Sequence, residues 1–178
     1  MRHAQNSQIA AVSPGNYGLD FMKETYGYDL DASVKCSNFI GETIDMAVEC
    51  GFEKMLLTGH IGKLVKVSGG IMNTHSREAD CRVELLVAVS RDNLMKILDS
   101  ATTTEAIAYL EEEKKTKPVM DYLMERIIYY TNKRAGGKMK IECILYDNQY
   151  GELAKSEGAE EFLHELQHEN VNANETTI

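Results

Sequence analysis

Three short loops combine glycine with polar side chains, and each directly follows an apolar run of the chain. They lie at residues 14–18, 37–41 and 58–63. Glycine lets the backbone approach a ligand closely, and a helix that starts after such a loop presents unpaired N–H groups to anions. For any one loop, capping of the next helix by a residue such as Asn38 or Thr58 is an equally good interpretation. Three loops of this kind in one sheet favour a ligand-binding cleft.

The common nucleotide-binding and hydrolase signatures do not fit these loops. The segment G-H-I-G-K-L at residues 59–64 has too few residues between its glycines for a P-loop, and no Ser or Thr follows its lysine. None of the loops reads G-x-G-x-x-G, and the chain has no G-x-S-x-G nucleophile elbow. The sequence therefore disfavours a Walker-type ATPase, an ordinary dinucleotide enzyme and a serine hydrolase.

Basic residues are concentrated in one window of an acidic protein. The net charge is −9, yet residues 54–77 contain Lys54, Lys63, Lys66 and Arg77, two histidines and no acid. Such a window favours an anionic small molecule, whereas the overall charge argues against a nucleic-acid partner. The alternative is a chance excess of charge on a solvated helix face.

The last part of this window places five hydrogen-bonding side chains in a row, Asn73, Thr74, His75, Ser76 and Arg77. We interpret them as candidate ligand contacts. The alternative is that Asn73, Thr74 or Ser76 caps the next helix and that His75 is an ordinary surface histidine.

The elements that must position these residues are strands alternating with helices. The apolar runs Ile9–Val12, Val34–Cys36 and Met55–Leu57 are continuous, as in parallel strands that are buried on both faces. Each is followed by a helix-like stretch, so we predict an α/β fold in which a parallel sheet of three or more strands has flanking helices. Further along, Thr102 and Glu105 form a capping-box pattern that predicts the start of another helix.

A different pattern appears near the C-terminus. In residues 139–145 the apolar side chains Met139, Ile141, Cys143 and Leu145 alternate with polar ones, which is typical of a strand with one solvent-exposed face. We therefore expect this strand to lie outside the parallel run. It pairs either with an edge of the first sheet or with strands that the chain does not contain.

Composition sets the remaining limits. The chain has 178 residues, 43% of them hydrophobic, and no apolar run approaches the roughly 20 residues of a membrane span. Its start lacks the long apolar segment of a secretory signal. Its four cysteines are far apart, with no C-x-x-C pair, so we predict reduced thiols and no protein-bound metal. These features predict a cytoplasmic protein without a membrane partner.

The motifs together resemble a known family, the cobalt-precorrin-5B (C1)-methyltransferases, often called CbiD-type. The similarity runs from about Ile9 to Glu161 and includes D-N-Q-Y-G at residues 147–151. It also includes P-G-N-Y-G (residues 14–18) and C-S-N-F-I-G-E (36–42), and its most specific segments are G-H-I-G-K-L-V-K (59–66) and N-T-H-S-R-E-A-D (73–80).

This resemblance implies transfer of a methyl group from S-adenosylmethionine to C1 of a cobalt-containing tetrapyrrole, giving cobalt-precorrin-6A in anaerobic cobalamin biosynthesis. It also implies a fold in which an α/β domain interrupts an α+β domain. Family members carry a glycine- and alanine-rich segment before the first strand, so we expect the chain to be a C-terminal half. On this interpretation residues 1–135 form the α/β domain, and residues 136–178 are a strand-helix tail of an α+β domain that is largely absent.

The resemblance also allows the loops to be assigned. We place the methyl donor over the first two loops, at Gly15, Asn16, Gly18, Ser37, Asn38 and Gly41. We place the anionic tetrapyrrole, with its acetate and propionate groups, at Gly59, His60, Gly62, Lys63, Lys66, Asn73, Thr74, His75, Ser76 and Arg77. Cobalt arrives with the substrate, and no catalytic residue is assigned.

Two rival functions stay open. One is an unrelated α/β nucleotide-binding enzyme, which the missing signatures disfavour. The other is a non-catalytic fragment that binds a tetrapyrrole or a partner chain. Whether the partner chain is a second copy or a separate N-terminal half also stays open.

Overall fold

The computed structural model describes residues 8–15, 18–29, 33–87 and 94–175, and these residues form one five-stranded sheet with helices on both faces. The strands are β1 (Ile9–Ser13), β2 (Val34–Lys35), β3 (Lys54–His60), β4 (Lys140–Asp147) and β5 (Gly151–Lys155). The helices are α1 (Gly18–Tyr26), α2 (Ile40–Glu49), α3 (Ile61–Ser68), α4 (Arg82–Val87), α5 (Leu94–Leu98), α6 (Thr103–Glu112), α7 (Thr116–Ala135) and α8 (Ala159–Glu175).

The first three strands confirm the predicted parallel sheet. The strand order is β2-β1-β3-β4-β5, and β1 is parallel to both β2 and β3. Side chains of β1 alternate between two buried layers: Ala10 and Val12 pack on one face, and Ile9 and Ala11 on the other. A continuous apolar run therefore marks a strand covered by helices on both faces, as expected.

The prediction that residues 139–145 lie outside the parallel run is wrong. Strand β4 pairs with β3 in parallel from Lys54↔Lys140 to His60↔Tyr146, and only β5 is antiparallel. The polar face of β4 meets the start of α8 instead of water. Glu142 there is only 6% exposed, and its carboxylate accepts the Gly158 N–H and the Lys140 ammonium. The alternation of apolar and polar residues in this strand therefore reflects a buried acid and not a solvent-exposed face. The domain boundary at residue 136 stays a prediction.

Two apolar layers enclose the sheet. The larger contains Leu64 of α3, Leu86 of α4, Ile107 of α6 and Leu123 of α7, packed on one face. The smaller, on the other face, contains Met22 of α1 and Phe162 of α8. Together they make a three-layer α/β/α arrangement in which every loop at the carboxyl ends of β1, β3 and β4 reaches the same edge.

Local signals in the sequence fix the start of α6 and the end of α7. The Thr102 hydroxyl accepts the Glu105 N–H at 3.1 Å, and the Glu105 carboxylate accepts the Ala101 N–H, so the predicted cap of α6 is confirmed. Gly136 ends α7 in the left-handed conformation with φ 62°. None of the helices within the described residues is long and apolar enough to cross a membrane.

Candidate functional site

A cleft of about 560 Å³ opens at the carboxyl edge of the sheet, where β1, β3 and β4 end. Ligands of open α/β sheets bind at this edge, because strand ends and helix starts meet there. The lining residues are Pro14, Asn38, His60, Gly62, Lys63, Lys66, Thr74, His75, Ser76, Arg82, Thr102, Thr103, Thr104 and Asn148.

His60 ends β3 and caps α3. Its Nδ1 accepts the N–H of Gly62 at 3.0 Å, which places the proton of the neutral ring on Nε2, 3.4 Å from the Asp147 carboxylate. Burial lowers the pKa of His60, and the nearby Asp147 only partly opposes this. The ring is therefore neutral at pH 7, and both of its nitrogens face protein groups.

Asp147 ties the end of β4 to the first turn of α6. It is 1% exposed, and one oxygen accepts the backbone N–H groups of Gln149 and Tyr150. The other oxygen accepts the Thr104 hydroxyl at 2.8 Å. Because a buried carboxylate needs such donors, these contacts fix where α6 begins beside the cleft.

Two lysines of α3 reach the cleft without an acidic partner. Lys66 is 1% exposed and donates to the carbonyl oxygen of Thr74 at 3.0 Å. Lys63 donates to the carbonyl oxygen of Ser37, also at 3.0 Å. Burial is the main cause that lowers the pKa of Lys63, and the neighbouring Lys66 acts in the same direction. Neither ammonium lies within 4.0 Å of a carboxylate in the described parts of the chain.

The second loop and the 73–77 segment form one wall. Thr74 donates its N–H to the Asn38 carbonyl oxygen at 2.9 Å, and its hydroxyl lies 3.3 Å from the Asn38 amide oxygen. Gly41 extends this pairing by donating its N–H to Met72. A loop assigned to the methyl donor and a segment assigned to the substrate are therefore hydrogen-bonded neighbours.

The structure brings eight of the predicted site residues together at the cleft. They are Asn38, His60, Gly62, Lys63, Lys66, Thr74, His75 and Ser76. Asn16 lies outside the described residues, and Gly18 is the first residue of α1. The ligand roles of all these residues stay predictions.

The other predicted residues lie behind the cleft wall. Gly15 (φ 112°) and Ser37 border Lys63: a Cβ on Gly15 would lie 3.6 Å from its Nζ. A Cβ added at Gly41 would lie 2.8 Å from the Met72 side chain, and one added at Gly59 would lie 2.8 Å from the Leu64 side chain. These two glycines therefore permit close packing.

Asn73 and Arg77 are not among the residues that line the cleft, and both are hydrogen-bonded to His75. Asn73 accepts the N–H of His75 through its side-chain oxygen, at 3.1 Å. Arg77 donates its own N–H to His75 Nδ1, also at 3.1 Å. Lys54 lies at the opposite edge of the sheet, 2.5 Å from Glu165, so the basic window of the sequence splits in space.

Sequence reasoning missed six of the lining residues. They are Pro14, Arg82, Thr102, Thr103, Thr104 and Asn148. The capping box at Thr102 marked a helix start, but nothing in it showed that this start faces the cleft. Across the described ranges, no group of three or more His, Cys, Asp or Glu side chains is placed to hold a metal ion.

This fold and cleft define an α/β domain with a cleft, lined by Lys63, Lys66 and Arg82 among others, at the carboxyl edge of a mostly parallel sheet. A family model described as CbiD, C-terminal domain, matches residues 73–157. Residues 73–157 therefore belong to the CbiD C-terminal domain family. No solved structure matches the chain significantly.

Several relatives are named cobalt-precorrin-5B C(1)-methyltransferase. The one from Ruminiclostridium cellulolyticum is 43% identical over 84% of this chain and 40% of its own length. The Alkaliphilus metalliredigens relative is 36% identical over 96% of this chain and 47% of its own. The Methanocaldococcus jannaschii relative is 39% identical over 80% of this chain and 41% of its own length. The chain thus spans less than half the length of these relatives.

Proposed function

We propose that this chain serves the S-adenosylmethionine-dependent methylation of cobalt-precorrin-5B at C1, in the cytoplasm, with its cleft holding carboxylates of the tetrapyrrole. The product is cobalt-precorrin-6A, in anaerobic cobalamin biosynthesis. The family and the names of the relatives support the reaction. The chemistry of the cleft supports the substrate class.

The buried ammonium of Lys66 is the observation that carries this proposal. A charge removed from water is costly unless an opposite charge or several hydrogen bonds compensate it. Within the described residues Lys66 has one backbone oxygen and no carboxylate. A carboxylate of the ligand supplies the missing negative charge.

Neighbouring groups extend this anion site. Lys63 adds a second ammonium that is held by a single carbonyl oxygen and is free to turn toward a ligand. Both lysines project from α3, whose N-terminal turn carries partial positive charge beside the cleft. A propionate or acetate group that enters here meets two charged donors and the positive end of a helix dipole.

The methyl donor fits the same edge. S-adenosylmethionine supplies the methyl group, and transfer from a sulfonium depends chiefly on aligning donor and acceptor carbon. We place the donor over the first two loops, because Pro14 and Asn38 of these loops line the cleft. Ser37 then positions Lys63 by accepting a hydrogen bond from its ammonium, and Gly15 lies beside that ammonium. Cobalt belongs to the substrate in this scheme.

The direct test is anaerobic turnover by the chain. Cobalt-precorrin-5B and S-adenosylmethionine with a ¹³C-labelled methyl group are incubated with the protein, and the product is analysed by mass spectrometry and ¹³C NMR. We expect one labelled methyl at C1, with turnover by the chain well below that of a full-length relative assayed beside it, and a still lower yield from Lys66→Met at limiting substrate. Lys54→Met, at the opposite edge of the sheet, is the matched control and should equal the unmodified chain.

The outcomes separate the alternatives. Tetrapyrrole binding without methyl transfer would favour a non-catalytic binding protein and contradict the reaction proposed for this chain. Failure to bind the tetrapyrrole at all would contradict the substrate class as well.

A further inference from the structure

The start of α6 forms a wall of the cleft beside α3, and the hydroxyls of its three threonines differ in their hydrogen bonding. The Thr102 hydroxyl accepts the Glu105 N–H, which caps the helix. The Thr104 hydroxyl donates to the buried Asp147 carboxylate. These two hydroxyls hold the first turn of α6 in place and are not available to a ligand.

Thr103 is different, because its hydroxyl has no hydrogen-bond partner among the residues that the structure describes. The residue is only 4% exposed, yet it lines the cleft. Its Oγ1 would lie 3.6 Å from a Cβ built on Gly62, in the first turn of α3. A hydroxyl on the wall of a cleft that has no protein partner is free to donate a hydrogen bond to a ligand that enters the cleft.

Arg82 brings a charge to the same part of the cleft. Arg82 lines both the main cleft and a small adjoining hollow, where its neighbours include Thr103 and the acids Asp80 and Glu84. Its acidic contact is Asp80, two residues earlier, with nitrogen–oxygen distances of 2.9 and 3.4 Å. Asp80 is half exposed, and exposed ion pairs of this kind contribute little, so the guanidinium can exchange this partner for a ligand carboxylate.

These observations converge on a second anion subsite. We infer that Thr103, the N-terminal turn of α6 and Arg82 bind a second carboxylate of the ligand, apart from the one held by Lys63 and Lys66. The inference rests on the proposed function, because it assumes the same polycarboxylate tetrapyrrole. Two carboxylates held at once fix the rotation of the macrocycle as well as its position, which a single anchor cannot do.

The ligand chemistry follows from the groups present. A guanidinium binds a carboxylate through two parallel N–H bonds, and a helix N-terminus with a free hydroxyl adds neutral donors. The subsite therefore selects a planar carboxylate on a flexible arm, such as a propionate group. It lies on α4 and α6, which belong to a different part of the sequence from the lysines of α3.

The test uses uroporphyrin III, a metal-free tetrapyrrole with acetate and propionate side chains, titrated against the full 178-residue chain by fluorescence. Arg82→Gln should weaken binding about tenfold, as expected for loss of a charged hydrogen bond, and Thr103→Val about fivefold. Thr116→Val is the matched control. It removes an unpartnered hydroxyl at the first residue of another helix, α7, outside the cleft. It should bind like the unmodified chain.

A double-mutant cycle distinguishes one subsite from two. If Arg82 and Lys66 hold different carboxylates, the losses from Arg82→Gln and Lys66→Met multiply. If Arg82→Gln has no effect in the Lys66→Met background, both residues hold one carboxylate and the second subsite is wrong. Normal binding by both Arg82→Gln and Thr103→Val would also overturn it, while a loss in Lys66→Met alone would leave the proposed function standing.

Two further results would also contradict the second subsite. If the unmodified chain does not bind uroporphyrin III, the proposed function and the second subsite fall together. If Thr116→Val weakens binding as much as Thr103→Val does, the effect comes from altered stability and not from the cleft, and the subsite is again wrong. Thermal unfolding of each variant, followed by circular dichroism, confirms that it is folded under the conditions of the titration.

Discussion

Thr104 and Asp147 lie 43 positions apart in sequence, yet their side chains meet at 2.8 Å. The bond joins the first turn of α6 to the end of β4, behind the cleft. Because Asp147 is buried, its carboxylate needs hydrogen-bond donors. It has this hydroxyl and two backbone N–H groups, and His60 Nε2 lies nearby. The buried Asp147 carboxylate thus connects three elements that form the site, namely β3, β4 and α6.

Replacing Thr104 with Val should lower the free energy of unfolding by about 1–3 kcal/mol, because a buried carboxylate oxygen loses a donor. Chemical denaturation at pH 7 measures this. Thr43→Val is the control: its hydroxyl donates to the Phe39 carbonyl oxygen in an exposed position, so its loss should be small. Equal effects of the two substitutions would show that Asp147 does not depend on Thr104.

Lys66→Met should raise the stability of the ligand-free chain by about 1 kcal/mol while weakening ligand binding. Methionine fills a similar volume and removes a buried ammonium that has no acidic partner in the described structure. Lys54→Met is the comparison, since Lys54 is one-third exposed and paired with Glu165; it should change stability little or lower it slightly. A clear loss of stability in Lys66→Met would mean that the lysine serves the fold and not the ligand.

Glu142 should contribute to stability against acid. Burial acts to raise the pKa of its carboxyl, but hydrogen bonds from Ser156, Lys140 and the Gly158 N–H outweigh it, so the pKa is lowered in the folded chain. This contribution is complete above the unfolded glutamate pKa of about 4.3 and is lost as the pH falls through the lower folded value. Glu142→Gln should therefore show a flatter decline in stability below about pH 4.3, and an unchanged acid profile would contradict this role.

His60 should affect stability closer to neutral pH. Its pKa is lowered mainly by burial, so the unfolded chain takes up the proton first as the pH falls. Stability is then complete above the unfolded histidine pKa of about 6.5 and declines below it. His60→Asn keeps an N-cap side chain for α3 and removes the titration, so its stability should fall less between pH 7 and 5. Parallel profiles for the two proteins would exclude His60 as the source.

The sequence predicted the sheet well where apolar runs were continuous, and less well where a polar residue was buried. Strands β1 and β3 follow directly from their runs because both faces need apolar side chains. Strand β4 was misplaced because Glu142 and Lys140 look like a solvent face. In the structure the start of α8 covers Glu142, and this contact joins residues 16 positions apart.

The site was predictable only in part for a similar reason. Lys63 and Lys66 lie on α3, which begins directly after β3, so the local pattern placed them at the carboxyl edge. Arg82 and Thr103 reach the same cleft through the packing of α4 and α6, which no local pattern encodes. Gly41 and Gly59 looked like ligand-contacting glycines, but close packing against Met72 and Leu64 already requires them.

The central claim is that Lys63 and Lys66 hold carboxylates of the tetrapyrrole, and binding of cobalt-precorrin-5B across a salt series tests it most directly. For the unmodified chain, affinity should fall as salt screens these charges. The double variant Lys63→Gln and Lys66→Gln should bind weakly with little salt dependence, whereas Lys54→Gln should behave like the unmodified chain. If the double variant binds as tightly as the unmodified chain at every salt concentration, the lysines do not hold the substrate and this account of the cleft is wrong.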